Sequence, residues 1–366
     1  MDNNYLYAPV IKGKMNDIKA LSYLSGDLTG QVRPIFELPP FLPTDKPEVK
    51  FALFAKRLEK LYSKNPFFVD LPLLKPGART SENEPVLEVA YGQLNAMGLN
   101  FNPVYGFDRD QQLWPTVIAQ ANKMGGLLLR LDRDDIDSPD DTLDGIVELR
   151  DRGLKTEWLD LLIDCRSIAS QDETSSLVDT ISHFVEKLAD TLNVRKIIVA
   201  GSSAPKNVSQ VEKNGSASIF RNELALWIHL RSSSLPFEFV YSDYGVIHPD
   251  FSDLTPATHI NGKIRYTQGK FIHIFRGHSL RLEDKYEQYR KLALSVVQFD
   301  QYQGSSFSHG DRYIYDCATG HAGTGNPGTW VLNDQNHHIT LASRQIRHLE
   351  SLLYRGVSAE AILERV

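Results

Sequence analysis

Eight charged side chains stand at the ends of short apolar runs: Lys12, Glu37, Asp70, Arg130, Asp132, Asp164, Arg166 and Asp243. Each follows residues that a fold buries, so each charge is partly desolvated and needs a counter-ion, a metal or hydrogen-bond donors. The set mixes five acids with three bases. Lys12, Arg130 and Arg166 could clamp an anion. Glu37, Asp70, Asp164 and Asp243 could ligate a metal or move protons. A network of salt bridges that simply plugs a cavity is the competing reading. Gly201-Ser202-Ser203 follows another run, and a permissive glycine before two hydroxyls could cradle a phosphate; a plain turn with Pro205 behind it reads equally well.

Other residues point less far. His337 and His338 are adjacent, and on a strand they would face opposite sides and could not share one ion. His309-Gly310-Asp311 reads as a turn with a hydrogen-bonding His and Asp. Asn333, Asn336, Gly323, Gly325 and Gly328 read as turn residues that tolerate positive φ. Tyr244, next to Asp243, is a packed tyrosine or a lining of the same site. There is no Walker loop, no GxSxG and no HExxH. Cys165 and Cys317 have no CxxC partner, so no zinc or redox motif is visible, no metal site is assigned, and Cys165 reads as a small buried hydrophobe. No residue is assigned as catalytic, and the sequence names no cofactor.

The runs that carry the charges are PVIK (9–12), PIFEL (34–38), PFFVD (66–70), NPVYG (102–106), GLLLRLD (126–132), WLDLLIDCR (158–166), KIIVAGSS (196–203) and FEFVYSD (237–243). Most gaps hold a helix-like stretch, which is the rhythm of a β/α repeat. Continuous apolar character suits parallel strands covered on both faces. The first run lacks the glycine-rich turn of a doubly wound sheet. The expected fold is therefore a (β/α)8, TIM-like barrel over residues 1–250, with the charged ends converging on one mouth. Helices are expected at 15–26, 44–61 (capped by Asp45, with Pro47 in the first turn), 84–97, 111–123, 138–153, 174–191 and 217–231.

After residue 250 the pattern changes. Residues 258–277 predict two antiparallel segments around a Gln-Gly turn, followed by a helix at 282–298. Residues 307–346 read as loops around two short strands, DRYIYDCA and HHITLA, and 341–366 as a charged helix. Residues 251–366 thus form a β-rich and helical C-terminal appendage packed on the barrel. The chain has 366 residues, 42% hydrophobic and 23% charged, with net charge −6. This is ordinary globular composition. No dense Lys/Arg run is present, so nucleic acid is disfavoured as a partner, although a local basic patch can survive an acidic total. No basic n-region and no apolar run of membrane-spanning length stand at the start, which predicts a cytoplasmic protein and no membrane partner.

Two end segments carry a family resemblance. The opening is Tyr7-x-Pro9-x-Ile11-Lys12-x-Lys14-x-x-Asp17, then Ala20-Leu21 and Ile35-x-Glu37. The closing block is Ser308-x-Gly310-Asp311-x-x-Ile314, then Trp330, His337-His338-Ile339 and Gln345-Ile346. Together they resemble the Beta family of phage satellites, prophages and scattered bacterial loci. The family's usual form has Leu at the place of Ile11, Gly at Asn16 and Glu at Asp17. The resemblance implies an antiphage-defence locus in which the protein counteracts a neighbouring killing protein, a toxin-antitoxin arrangement. It brings no catalytic residues with it. It marks Lys12, Lys14, Glu37, Asp311, Trp330, His337 and His338 as motif positions. Two readings therefore stand side by side: a protein that restrains a partner toxin, and a barrel enzyme or sensor for a phosphorylated or other anionic small molecule.

Overall fold

A computed structural model describes residues 5–155, 158–189, 194–251, 260–282 and 284–366. Seven parallel strands follow in chain order: β1 Val10–Lys12, β2 Ile35–Glu37, β3 Phe67–Asp70, β4 Phe101–Gly106, β5 Gly126–Leu131, β6 Trp158–Ser167 and β7 Lys196–Ser202. β8, Ser216–Phe220, belongs elsewhere, and β9, Phe239–Asp243, is the eighth strand of the sheet. Every neighbouring pair in this sheet is parallel. The residues just before β1 close the circle: the Ala8 N–H donates to the Tyr241 carbonyl at 2.9 Å, and Tyr7 bridges both Val32 and Tyr241. The result is a (β/α)8 barrel, as the run spacing predicts.

Its interior holds Val10, Ile35, Phe68, Val104, Leu128, Leu162, Ile198 and Val240. The opposite strand faces, with Ile11, Phe36, Val69, Leu129, Ile163 and Tyr241, pack against the surrounding helices. Both strand faces are therefore apolar, which is why the runs do not alternate in sequence. The helices start where proline allows it: Pro47, Pro115, Pro139 and Pro327 each sit in a first turn, where the missing N–H costs nothing. Asp45 is not the cap of its helix. Lys46 is the N-cap residue, and the Asp45 carboxylate instead takes the Leu42 N–H and the Lys50 amine. Residues 217–231 are not one helix either: β8 ends at Phe220 and the helix is Asn222–Ser232.

The antiparallel hairpin forms as expected, from β10 Asn261–Gln268 and β11 Phe271–Ser279 around Gly269, whose φ is 55°. β8 adds a third strand beside β11. Of the expected spans, residues 258–259, 190–191 and 283 lie outside the described residues. The two short strands expected within 307–346 are helices: His309–Thr319 and Pro327–Tyr354. Ser308 and Asn326 cap them with their side chains. The Gly, His and Asn content misleads because the first half of the long helix buries a run of polar residues, Asn333 to His338, ahead of its apolar face. The long helix also completes the barrel's shell. Ile339, Ala342, Ile346 and Leu349, spaced along one face, pack into the same core as Tyr7, Ile11 and Tyr241.

Candidate functional site

Alternation along the strands decides which charges reach the mouth. In β1, β2, β3, β5 and β6 an inner-core residue is followed two positions later by a charge on the same face: Lys12, Glu37, Asp70, Arg130 and Asp164. All five are buried and they converge. Arg130 is the centre. One of its amino groups donates to Glu37 at 3.0 Å and Asp70 at 2.5 Å; the other donates to Asp164 and to the Tyr244 hydroxyl at 2.9 Å. Tyr244 donates in turn to Asp164 at 2.8 Å. Lys12 lies 2.5 Å from Glu37 and also donates to the Pro249 carbonyl.

Arg109 pairs with Asp70 at 2.6 Å. The sequence reading missed it, because it sits three residues beyond the end of β4 and not on a run. Burial opposes ionisation of Asp70, but Arg109 and Arg130 outweigh it and hold the carboxyl below its usual range. Burial likewise opposes ionisation of Asp164, and Arg130 and Arg166 outweigh it. Among the described residues no cluster of His, Cys, Asp and Glu is arranged to hold a metal; the guanidinium of Arg130 takes the centre that the three carboxylates share. Arg166 stands at the rim with φ 56°, a left-handed conformation, where it reaches Asp250 at 3.1 Å and Glu37 at 3.8 Å.

Two expected ring members are elsewhere. Asp132 caps the helix Arg133–Asp137 in a capping box with Asp135. Asp243 has the opposite strand parity to Val240 and Tyr244, so it faces outward, toward the long helix. There it accepts from Tyr7 at 2.6 Å, Tyr241 at 2.7 Å and His338 at 2.8 Å. His338 Nδ1 meets the Thr267 hydroxyl at 2.7 Å. Its neighbour His337 lies between Asp311 and the Thr267 carbonyl, at 2.8 Å from each, and stacks on Tyr266. The two histidines are on a helix, not a strand, and each has its own partners. Asp311 lies in the first turn of its helix, not in a turn. Asn336 is no turn residue: it donates to the Ala20 carbonyl and accepts the Gly310 N–H, both at 2.9 Å.

At the end of β7, Ser203 donates to Glu223 at 2.6 Å and accepts the Asn222 N–H at 2.8 Å. Ser202 donates to the Ile247 carbonyl at 3.2 Å. A Cβ on Gly201 would come within 2.6 Å of Ile168, so glycine serves close packing here. Cys165 is buried, and its thiol is pushed up to about 12 by burial.

Beyond the plug a cleft of about 660 Å³ opens between the barrel mouth, the β10–β11 hairpin and the long C-terminal helix. Lys12 of β1, Lys14, and Asn16 and Asp17 of the helix Met15–Ser22 line the barrel side, with Lys206, His248 and Asp250 from later loops and Arg57 from a barrel helix. Lys263, Arg265, Tyr289, Trp330 and Asp334 line the other side. Six Lys/Arg side chains and three carboxylates line it, a local excess of positive charge in an acidic chain. Lys206 and Asp250 pair at 2.9 Å. Arg265 and Asp334 lie 3.7 Å apart. The Arg265 charge, with burial, lowers the Lys263 amine to about 7, and burial raises Asp334 to about 7.

The family model described as Beta protein matches residues 7–344. No curated protein matches the chain. Among solved structures, lysine/ornithine decarboxylase from Vibrio vulnificus, complexed with putrescine, is similar at 13% identity and TM-score 0.39, over 66% of this chain and 56% of that one. Alanine racemase from Clostridium difficile 630, complexed with cycloserine, is similar at 11% identity and TM-score 0.36, over 74% of this chain and 61% of that one. The chain spans less than two thirds of either enzyme, and likenesses this distant do not bear on the chemistry of the cleft. No described helix is long and apolar enough to cross a membrane.

Proposed function

The chain belongs to the Beta protein family, and from that premise we propose that it is a binding barrel whose working surface is the cationic cleft, which takes an anionic, phosphate- or carboxylate-bearing small molecule. One observation carries the reading: the two ends of the chain that bear the family resemblance meet across this cleft. Lys12 and Lys14 of the opening block face Trp330 of the closing block, four residues before the buried Asp334. The plug itself is satisfied by its own ion pairs and serves as the floor. The groups of the cleft exceed their counter-charges, as an anion site requires.

The test is thermal stabilisation of the full chain by inorganic phosphate, nucleoside phosphates and small carboxylates. The reading expects at least one to raise Tm, and reversal of the rim charges in Arg57→Glu/Lys206→Glu to weaken it. No stabilisation by any of them, or the same response in that variant, would overturn it.

The family resemblance favours a second reading at the level of biology: restraint of a toxin encoded beside this protein in a defence locus. Co-expression would then rescue growth and yield a co-purifying complex. If neither occurs, the partner reading fails while the anion cleft stands or falls on its own assay.

A further inference from the structure

The cleft also holds three side chains that take no part in the plug, Lys263, Arg265 and Asp334. Lys263 and Arg265 are alternate residues of β10 and share a face. Arg265 is anchored: its N–H donates to Asp334 Oδ2 at 3.1 Å, and its guanidinium lies 3.7 Å from the same oxygen. Asp334 is fully buried, and among the described residues its other oxygen, Oδ1, has no hydrogen-bond partner. Buried polar atoms are seldom left so, and one that lines a cleft points to a group it has yet to meet. The Lys263 amine also lines the cleft, and among the described residues it has neither a hydrogen bond nor an ion pair.

We propose that Lys263 is a reactive amine that forms an imine with a carbonyl compound bearing a carboxylate or phosphate, with Arg265 holding the anionic group and Asp334 supplying the proton. This rests on the reading of the cleft as an anion site. The lysine nitrogen attacks the carbonyl carbon, and a proton passes from nitrogen to oxygen to give the carbinolamine. The Asp334 carboxyl then protonates the hydroxyl, which leaves as water. The C=N bond forms as a protonated imine and Asp334 is left as carboxylate. No oxidant or reductant is needed. The charge states suit the step. The neighbouring Arg265 and burial bring the Lys263 amine down to about 7, so a substantial share is an unprotonated nucleophile at neutral pH. Burial raises Asp334 to about 7, so a substantial share of the carboxyl still carries a proton there.

Glyoxylate, an aldehyde with a carboxylate, is the probe. The full chain is incubated with it near neutral pH, reduced with cyanoborohydride and mapped by mass spectrometry. The expected result is trapping at Lys263 at least about tenfold faster than at the other lysines. It should be slowed in Asp334→Asn, competed by inorganic phosphate, and weaker with propanal, which lacks the anionic group. Lys263→Arg, whose guanidinium is no nucleophile, should lose the adduct at this position. Uniform labelling of lysines overturns the imine. If phosphate, a nucleoside phosphate or a small carboxylate still stabilises the protein in that case, the anion cleft survives; if none of them does, both readings fall.

Discussion

Asp334→Asn should stabilise the protein relative to wild type as pH rises, although it removes a charged partner of Arg265. Asp334 is wholly buried, and burial raises its carboxyl to about 7 despite the opposing guanidinium. The folded chain therefore holds a proton that the unfolded chain releases from about pH 4 upward. The folded state binds more protons in that window, so stability falls as pH rises through it. A shift of roughly three units is worth about 4 kcal/mol in full, of which about 2.5 kcal/mol falls between about pH 5 and pH 8. Asparagine keeps the shape and cannot titrate, so the difference between variant and wild type isolates this group. Lys263 works in the other direction: its lowered amine costs stability below about pH 7 and less above it. It is present in both proteins, so most of its contribution cancels. Urea unfolding of both chains at about pH 5, 6.5 and 8 reads the quantity directly. The variant should gain about 2.5 kcal/mol on wild type across the series. A difference that stays flat, or one that grows in favour of wild type, would mean that Asp334 ionises normally in the fold and that the account of the inner cleft is wrong.

Three further outcomes follow from the geometry. Glu37→Gln leaves Lys12 and one arm of Arg130 without their carboxylate in a buried site, and should cost about 3–5 kcal/mol in denaturant unfolding. His338→Phe removes the bond to Asp243 and should cost about 1.5–3 kcal/mol near neutral pH. Burial opposes ionisation of Asp243, but His338, Arg221 and Tyr7 hold it well below its ordinary value, and burial holds the His338 imidazole below its own, so the advantage of wild type over the variant should be largest near neutral pH and shrink in acid. Gly310→Ala should cost about 1–3 kcal/mol or block folding, because the new Cβ would lie 2.2 Å from the Asn333 carbonyl; an unchanged Tm would show that the two C-terminal helices can move apart.

The barrel was legible because parallel strands covered on both faces write continuous apolar runs, and the strand ends follow from where those runs stop. Five of the eight charges meet for a reason that period-two parity supplies: each lies two residues beyond an inner-core side chain. The same parity turns Asp243 outward, and a capping box claims Asp132. Arg166, the third exception, turns to the rim through its left-handed backbone; all three are visible only when strand phase, strand end and helix start are known to the residue. The cleft was far less legible. Its walls come from positions about 250 residues apart, and Lys263, Arg265 and Asp334 carry no local signature. The C-terminal helices were hidden for a different reason. Asn333–His338 is a run of six polar residues, which reads as loop, yet every one of them is buried. Local signals for helix starts existed, Ser308 three residues before Asp311 and Asn326 before Pro327, but in the long helix the apolar spacing that would have supported them begins only at Ile339, after the polar run.

That buried polar turn explains why the cleft can keep its shape. Asn336 grips the helix Met15–Ser22 through the Ala20 carbonyl and the helix His309–Thr319 through the Gly310 N–H. Gln335 takes the Val246 N–H in the loop after β9, at 3.2 Å. His338 joins Asp243 of β9 to Thr267 of β10, and Asp334 takes the Arg265 N–H. One and a half turns of helix thus bond to the start of the barrel, its last strand, the hairpin and the neighbouring helix. An apolar helix could bury as much surface, but it would leave each of these backbone groups without a partner and the register of the hairpin over the mouth undefined. A hydrogen bond fixes position to a few tenths of an ångström, and these run to both walls of the cleft. The spacing between Lys12 and Lys14 on one side and Lys263 and Arg265 on the other is therefore set by the same helix that closes the barrel, and a ligand would find the two walls already in place.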